Sequence, residues 1–255
     1  MKKFLYLSII PFSILASCAS EIKEENTDST VIETTDESTD LLKFEDVNRE
    51  ELSMMKTMRY TKGEFSTEIE GYFENDVPVM FNERYMIENG NSGTRDYFLK
   101  KGQLTHVIDY HEKISQNDDS TMVEESIFYY ENSELVKMTY RKLNGIGDFE
   151  MITPQEQKDL PNFNHTAYLN DFLNKQGDFE TAFIDIAEYG ENGTFLRVGT
   201  RNEIGYECYI KIDQLNETLE KLKNNKEAYK GKLLNIDIAY TDDPFMHLMN
   251  VSIAE

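Results

Sequence analysis

Ile204, Tyr206, Cys208, Ile210 and Ile212 alternate strictly with polar residues over nine positions. A side-chain period of two is what a strand shows when one face is buried and the other is wet, so this segment has almost no option but a half-buried strand. The same period appears earlier in the chain. Phe65, Ile69 and Phe73 alternate with Ser66, Glu68, Glu70 and Glu74. Beyond a turn at Asn75 and Asp76, Val77, Val79, Phe81, Tyr85 and Ile87 continue it.

A unit recurs along this first β region. "GYFENDVPVMF" (Gly71 to Phe81), "DYFLKKGQLTHV" (Asp96 to Val107) and "FYYENSELVKM" (Phe128 to Met138) each set an aromatic pair before a polar turn and an aliphatic residue after it. The spacings are uneven, which predicts a meander of hairpins rather than a solenoid. Six strands are expected, at 65–74, 77–88, 94–100, 103–113, 122–131 and 134–142. The unit resembles the hairpin-rich "YF-x-N-G-x-L" domains of uncharacterised bacterial lipoproteins, with Asp76 and Ser133 standing where the turn glycine is usual. That resemblance implies a fold and no activity. Ahead of the meander, Phe44, Val47, Met55 and Met58 have spacings that suit one face of a helix, with the methionines as core filler.

The last 78 residues read as three strands, a helix and two strands. Strands at about 180–189 and 194–201 join at "GENG" (Gly190 to Gly193), and the alternating strand above follows. Asp213 is placed to cap a helix that presents Leu215, Leu219, Leu222 and Tyr229 on one face and ends at Gly231. Leu234, Ile236, Ile238 and Tyr240 then share a face, "TDDP" (Thr241 to Pro244) turns the chain, and Phe245, Met249, Val251 and Ile253 close it. This element order resembles that of the OB-fold, and a plain α+β sandwich fits it as well. The expected fold class is β-rich α+β: an N-terminal antiparallel β-meander domain, then a five-stranded OB-like barrel or small α+β domain.

The first residues bear on address. Lys2 and Lys3 precede a short apolar run broken by Pro11, which is the layout of a secretory signal and too short for a permanent span. "LASC" (Leu15 to Cys18) resembles the lipobox of bacterial lipoproteins. The resemblance implies cleavage before Cys18, lipid on its sulfur, acylation of the new amino terminus and anchoring to a membrane. Ordinary cleavage after "SCA" is the alternative. Residues 19–40 carry eight carboxylates against one lysine and bury too little to fold, so they read as an extended tether. The acidic "EIKEE" is similar to signals that send some lipoproteins to the outer face of the outer membrane. The expected organisation is signal 1–17, anchored Cys18 and tether 18–40, helix and meander 41–150, a partly helical connector 151–177 and the OB-like part 178–255.

Charge and motifs narrow the function. The formal net charge is −22, and 178–255 holds 8 basic residues against 15 acidic ones, so nucleic acid is an unfavourable partner. Cys208 has no partner once Cys18 is lipidated and reads as a small core residue. Of the four histidines, His106 and His111 point to opposite faces of one strand and cannot share a metal without a bulge. Asp109 and His111 share a face and are the weak candidates for an oriented imidazole. His247 is expected to be a hydrogen-bonded core residue. "QNDDS" (Gln116 to Ser120) and "TDDP" lack calcium-loop spacing. No cofactor, metal or catalytic motif stands out. The favoured expectation is therefore a non-catalytic envelope binding or interaction module for a protein or glycan. An envelope enzyme acting on glycan or peptide, and a structural accessory of a membrane complex, are the alternatives.

Overall fold

Each copy of the recurring unit becomes the same bulged hairpin. The computed structural model describes residues 43, 47–87, 90–114, 121–144, 152–201 and 205–254. Its first eight strands are β1 (Ser53–Lys56), β2 (Tyr60–Lys62), β3 (Phe65–Glu74), β4 (Val77–Met86), β5 (Ser92–Lys100), β6 (Gln103–Ile114), β7 (Thr121–Glu131) and β8 (Glu134–Asn144). From β3 to β8 every strand pairs antiparallel with the next. Asn75–Asp76, Lys101–Gly102 and Asn132–Ser133 form three of the turns, and all six residues have positive φ, between 49° and 77°. Such turns carry the twist that a two-residue hairpin needs.

Each hairpin ladder then slips by one residue at the equivalent place, between Tyr72 and Phe73, Phe98 and Leu99, and Tyr129 and Tyr130. The pairs straddle the sheet at these points. Tyr72, Phe98 and Tyr129 belong to one apolar cluster, and Phe73, Leu99 and Tyr130 to the cluster on the opposite face.

The helix expected from Phe44 to Met58 does not form, although Phe44 itself lies outside the described residues. Asn48 caps a single 3-10 turn, Arg49–Glu51, and Ser53–Lys56 instead pairs with β3. The edge of β3 offers backbone hydrogen bonds to an extended segment. A short helix with Met54 and Met55 exposed would have had little apolar contact to set against that.

The segment read as a connector holds β9 (Gln155–Glu156), paired with β8, and α1 (His165–Leu173), capped by the Asn164 side chain. Leu169 and Phe172 of α1 are buried in the main core.

The C-terminal part comprises β10 (Ala182–Glu188), β11 (Thr194–Gly199), β12 (Glu207–Ile212), α2 (Glu217–Asn224), α3 (Lys226–Tyr229), β13 (Leu234–Tyr240) and β14 (Met246–Ile253). β10, β11 and β12 form an antiparallel meander, β12 pairs parallel with β14, and β14 pairs antiparallel with β13. β13 returns to β10 through an Ala182–Leu233 bridge, flanked by Phe183 N–H donating to Lys232 O at 2.8 Å and Leu234 N–H to Thr181 O at 3.0 Å. This strand order is that of an OB-like barrel, with the helix between its third and fourth strands. The cap of α2 is Asn216, which accepts from Leu219 N–H at 2.9 Å, and not the expected Asp213. Leu196, Val198, Cys208, Ile210, Leu219 and Leu222 fill the interior.

The two β sets share a sheet and a core. Ile210 and Lys211 of β12 face β14, while Glu207 at its other end faces Thr61 of β2. Leu41–Glu255 is a single compact unit, so the boundaries expected near 150 and 177 fall inside it. Tyr60 of β2, Phe172 of α1 and Phe179 ahead of β10 meet with ring centroids 4.6–5.2 Å apart. The Tyr60 hydroxyl donates to Phe179 O at 3.1 Å.

Beneath α1 the sheet carries a buried polar cluster. Glu83 is 1% exposed and accepts from Thr67 at 2.8 Å, Tyr97 at 2.7 Å, Arg95 at 3.0 Å and Tyr168 of α1 at 2.6 Å. Removing this carboxylate by Glu83→Ala takes one of two carboxylate partners from Arg95, which keeps Asp109, and leaves three hydroxyls in the core without their acceptor. It is expected to lower unfolding free energy by about 3–5 kcal/mol, read from urea denaturation of the full chain.

Candidate functional site

Among the sequence-derived residues, Asp109 lies close enough to His111 to act on it electrostatically, but its hydrogen bonds go elsewhere. Asp109 points across β5, accepting from Tyr85 Oη at 2.6 Å and from Arg95 Nε and Nη2 at 3.0 and 2.9 Å. Gly93 makes this reach possible, because a Cβ there would lie 2.4 Å from the Tyr85 ring. His111 meets the Tyr85 ring edge-on at 6.1 Å, and its buried Nε2 has no hydrogen-bond partner among the described residues. Burial, with Lys113 nearby, lowers its pKa.

His106 stacks on Phe98 with ring centroids 4.4 Å apart. His165 is enclosed by Tyr97, Phe128, Tyr130 and Phe163, and burial pulls its pKa down to about 3. Cys208 is fully buried, which raises its thiol pKa. Cys18, the tether and Gln116–Ser120 lie outside the described residues. Among the described residues no cluster of three or more His, Cys, Asp or Glu is arranged to hold a metal, and no helix is long and apolar enough to cross a membrane.

A different group of residues forms a cleft. On β11 and β12 the even positions point into the barrel, leaving Phe195, Arg197, Glu207, Tyr209 and Lys211 on the outer face. Tyr189 and Asn192 approach from the β10–β11 loop and Phe245 from the β13–β14 loop. With Phe195 and Tyr209 they line a cleft of about 230 Å³. Phe195 forms the floor at 3% exposure, and Tyr189 stands at the rim at 41%. The β10–β11 loop closes through Gly193 at φ 99°, a conformation that suits glycine.

The rings meet at steep angles. Tyr189 meets Phe195 at 86° and Tyr209 at 72°, and Phe195 meets Phe245 at 71°. Two cations lie over these rings, both already paired. Arg197 sits 5.4 Å from the Tyr209 centroid and bonds Glu207 at 2.9 Å. Lys211 sits 5.1 Å from the Phe245 centroid and bonds Asp243 at 2.9 Å.

The turn carrying Phe245 is fixed from below by His247. Its Nδ1 is 2.7 Å from Asp213 and its Nε2 is 2.7 Å from Asp243. Asp243 Oδ1 also accepts the Phe245 N–H at 3.0 Å. Only an imidazolium has two N–H donors for two carboxylates, so the bonds to Asp213 and Asp243 raise the His247 pKa. Lys211 and then His247 hold Asp243 far below the usual carboxylate range. The expected hydrogen-bonded histidine is thus found in an ionic cluster, and Asp213 serves that cluster in place of the helix.

In the sequence Phe245 reads only as a residue of the last strand and Asn192 only as part of the Gly190–Gly193 turn, and no cleft residue reads as a site. The signal was present: Phe195 and Tyr209 are aromatic at positions where the alternation calls for polar side chains. Comparison with protein-family models, with curated proteins and with solved structures finds no match.

The His247 cluster predicts a pH dependence. A raised folded pKa means that its stabilisation is fully present below the unfolded value near 6.5 and is lost as pH rises through the folded value. Urea midpoints of the full chain should therefore fall between pH 6 and 9 by a component that His247→Gln removes.

Proposed function

We propose that this chain is a lipid-anchored envelope protein whose folded part is a non-catalytic binding module, with its ligand site in the Phe195–Tyr209 cleft. The observation that carries this reading is the placement of the cleft. It lies on the outer face of the second and third barrel strands, between the loops that join strands one to two and four to five. That is the face on which OB-folds take their ligands, and the analogy extends to the location alone. Within the site, four aromatic side chains converge with one amide and two hydroxyls, the mixture of apolar wall and few polar groups usual in ligand clefts.

Asp109 is committed to Arg95 and Tyr85, which favours binding over an Asp–His catalytic pair. The anchor in this reading is lipid on Cys18, and residues 19–40 are the spacer that holds the module off an outer-membrane surface.

Two measurements test the proposal. Small molecules and glycans from an envelope extract, passed over the immobilised full chain, should include compounds that are retained by the native protein. Tyr209→Ala and Phe245→Ala variants should release them at a nearly unchanged melting temperature. Equal retention by native and variant proteins would dismiss the cleft.

For the anchor, intact mass should show a chain beginning at Cys18 and carrying acyl groups, found with membranes. Cys18→Ala should be unlipidated and lost from them. A native chain that starts at Ser20 without lipid would rule the anchor out.

A further inference from the structure

The shape and charge of the cleft select among ligand classes, and this step rests on the binding reading above. A nucleobase or other flat aromatic ligand binds best between parallel rings, or stacked on a face with a basic groove along its phosphates. Here the three ring contacts lie at 71–86°, so each pair of touching rings forms a corner rather than a stack. The nearest cations, Arg197 and Lys211, are each balanced by a carboxylate, Glu207 and Asp243, so phosphate meets no net counter-charge there.

A cationic ligand is disfavoured for the opposite reason. Aromatic cages attract ammonium groups through their ring faces, and two of these four rings already carry a cation of the protein, Arg197 over Tyr209 and Lys211 over Phe245. A purely apolar ligand would bury the polar edges of the cleft. The Tyr209 hydroxyl already donates to Glu207 at 3.0 Å, which leaves its oxygen to accept. Asn192 adds an amide at the rim.

We infer that the cleft binds one uncharged sugar ring of a glycan. A pyranose has an apolar C–H face to lay on one ring, and hydroxyl edges, at a steep angle to that face, for the amide and phenol groups. A corner of aromatic rings edged with neutral donors and acceptors matches that form. At about 230 Å³ the cleft is smaller than the usual 300–1,000 Å³ site for a drug-sized ligand, so it takes a single residue of a longer chain.

The test titrates the full chain with five probes, following Tyr ring resonances by NMR: chitobiose, cellobiose, choline, adenosine monophosphate and indole. The expected result is saturable binding of chitobiose, or of cellobiose run beside it, about tenfold or more weakened by Tyr209→Ala. The other probes should leave the rings undisturbed. Tyr209→Phe separates stacking from hydrogen bonding and guards against a folding defect, since it keeps the ring and should retain most of the affinity. Saturable binding of choline, the nucleotide or indole at these rings, with both sugars inert, would overturn the sugar class while leaving a binding cleft. No response to any probe would overturn the binding reading together with it.

Discussion

A carboxylate buried at the level of Glu83 has to be met by donors on every side, and the tertiary structure is arranged around that requirement. Its four partners come from β3, β5 and α1. The Tyr168 bond matters most for the rest of the molecule, because it fixes α1 on the sheet in one place. Phe172, one helical turn further along, is then held against Tyr60 and Phe179. Phe179 leads directly into β10, so the first strand of the barrel is positioned from a charge in the meander. A Leu at position 83 could fill the volume, but an apolar contact is not directional and would let α1 slide.

The barrel adds a second directional device at its other end. Asp213, Asp243, Lys211 and His247 make a cluster whose charges cancel when the imidazole is protonated, tying the end of β12 to the turn before β14. Phe245 follows that turn by two residues and takes its position from it. The cleft therefore depends on both polar clusters. One sets where β10 begins, and the other sets where the β13–β14 turn lies over β11.

Much of the fold was legible because period two is a strong signal when it repeats. The three hairpins could be read from aromatic pairs before polar turns, and the barrel order from three strands, a helix and two strands. Met55 and Met58 misled, because a spacing of three fits a helix turn, while the free edge of β3 that captured Ser53–Lys56 exists only after the sheet has formed. Asp213 misled in a related way. Asp at the end of a strand before a helix is a good cap by sequence, yet Asn216 lies closer to the helix start and His247, 34 residues away, claims the carboxylate. The cleft was hidden because its side chains come from two loops and two strands. Only the closure of β13 onto β10 and the pairing of β12 with β14 bring Phe245 over Phe195.

The charge of the chain bears on how a ligand would reach the site. With 48 acidic residues against 26 basic ones, cations are the scarce resource, and those near the cleft are consumed within the protein. Arg197 is held by Glu207 and Lys211 by Asp243. An approaching molecule meets ring faces and neutral polar groups at the cleft itself, within a field of surplus carboxylate. Such a surface repels polyanions from a distance, while a neutral molecule gains nothing from steering. Encounter then depends on local concentration, which the anchor proposed above would supply by keeping the protein where its ligand is displayed. The proposed anchoring, the acidity and the aromatic cleft are consistent with one another on these physical grounds.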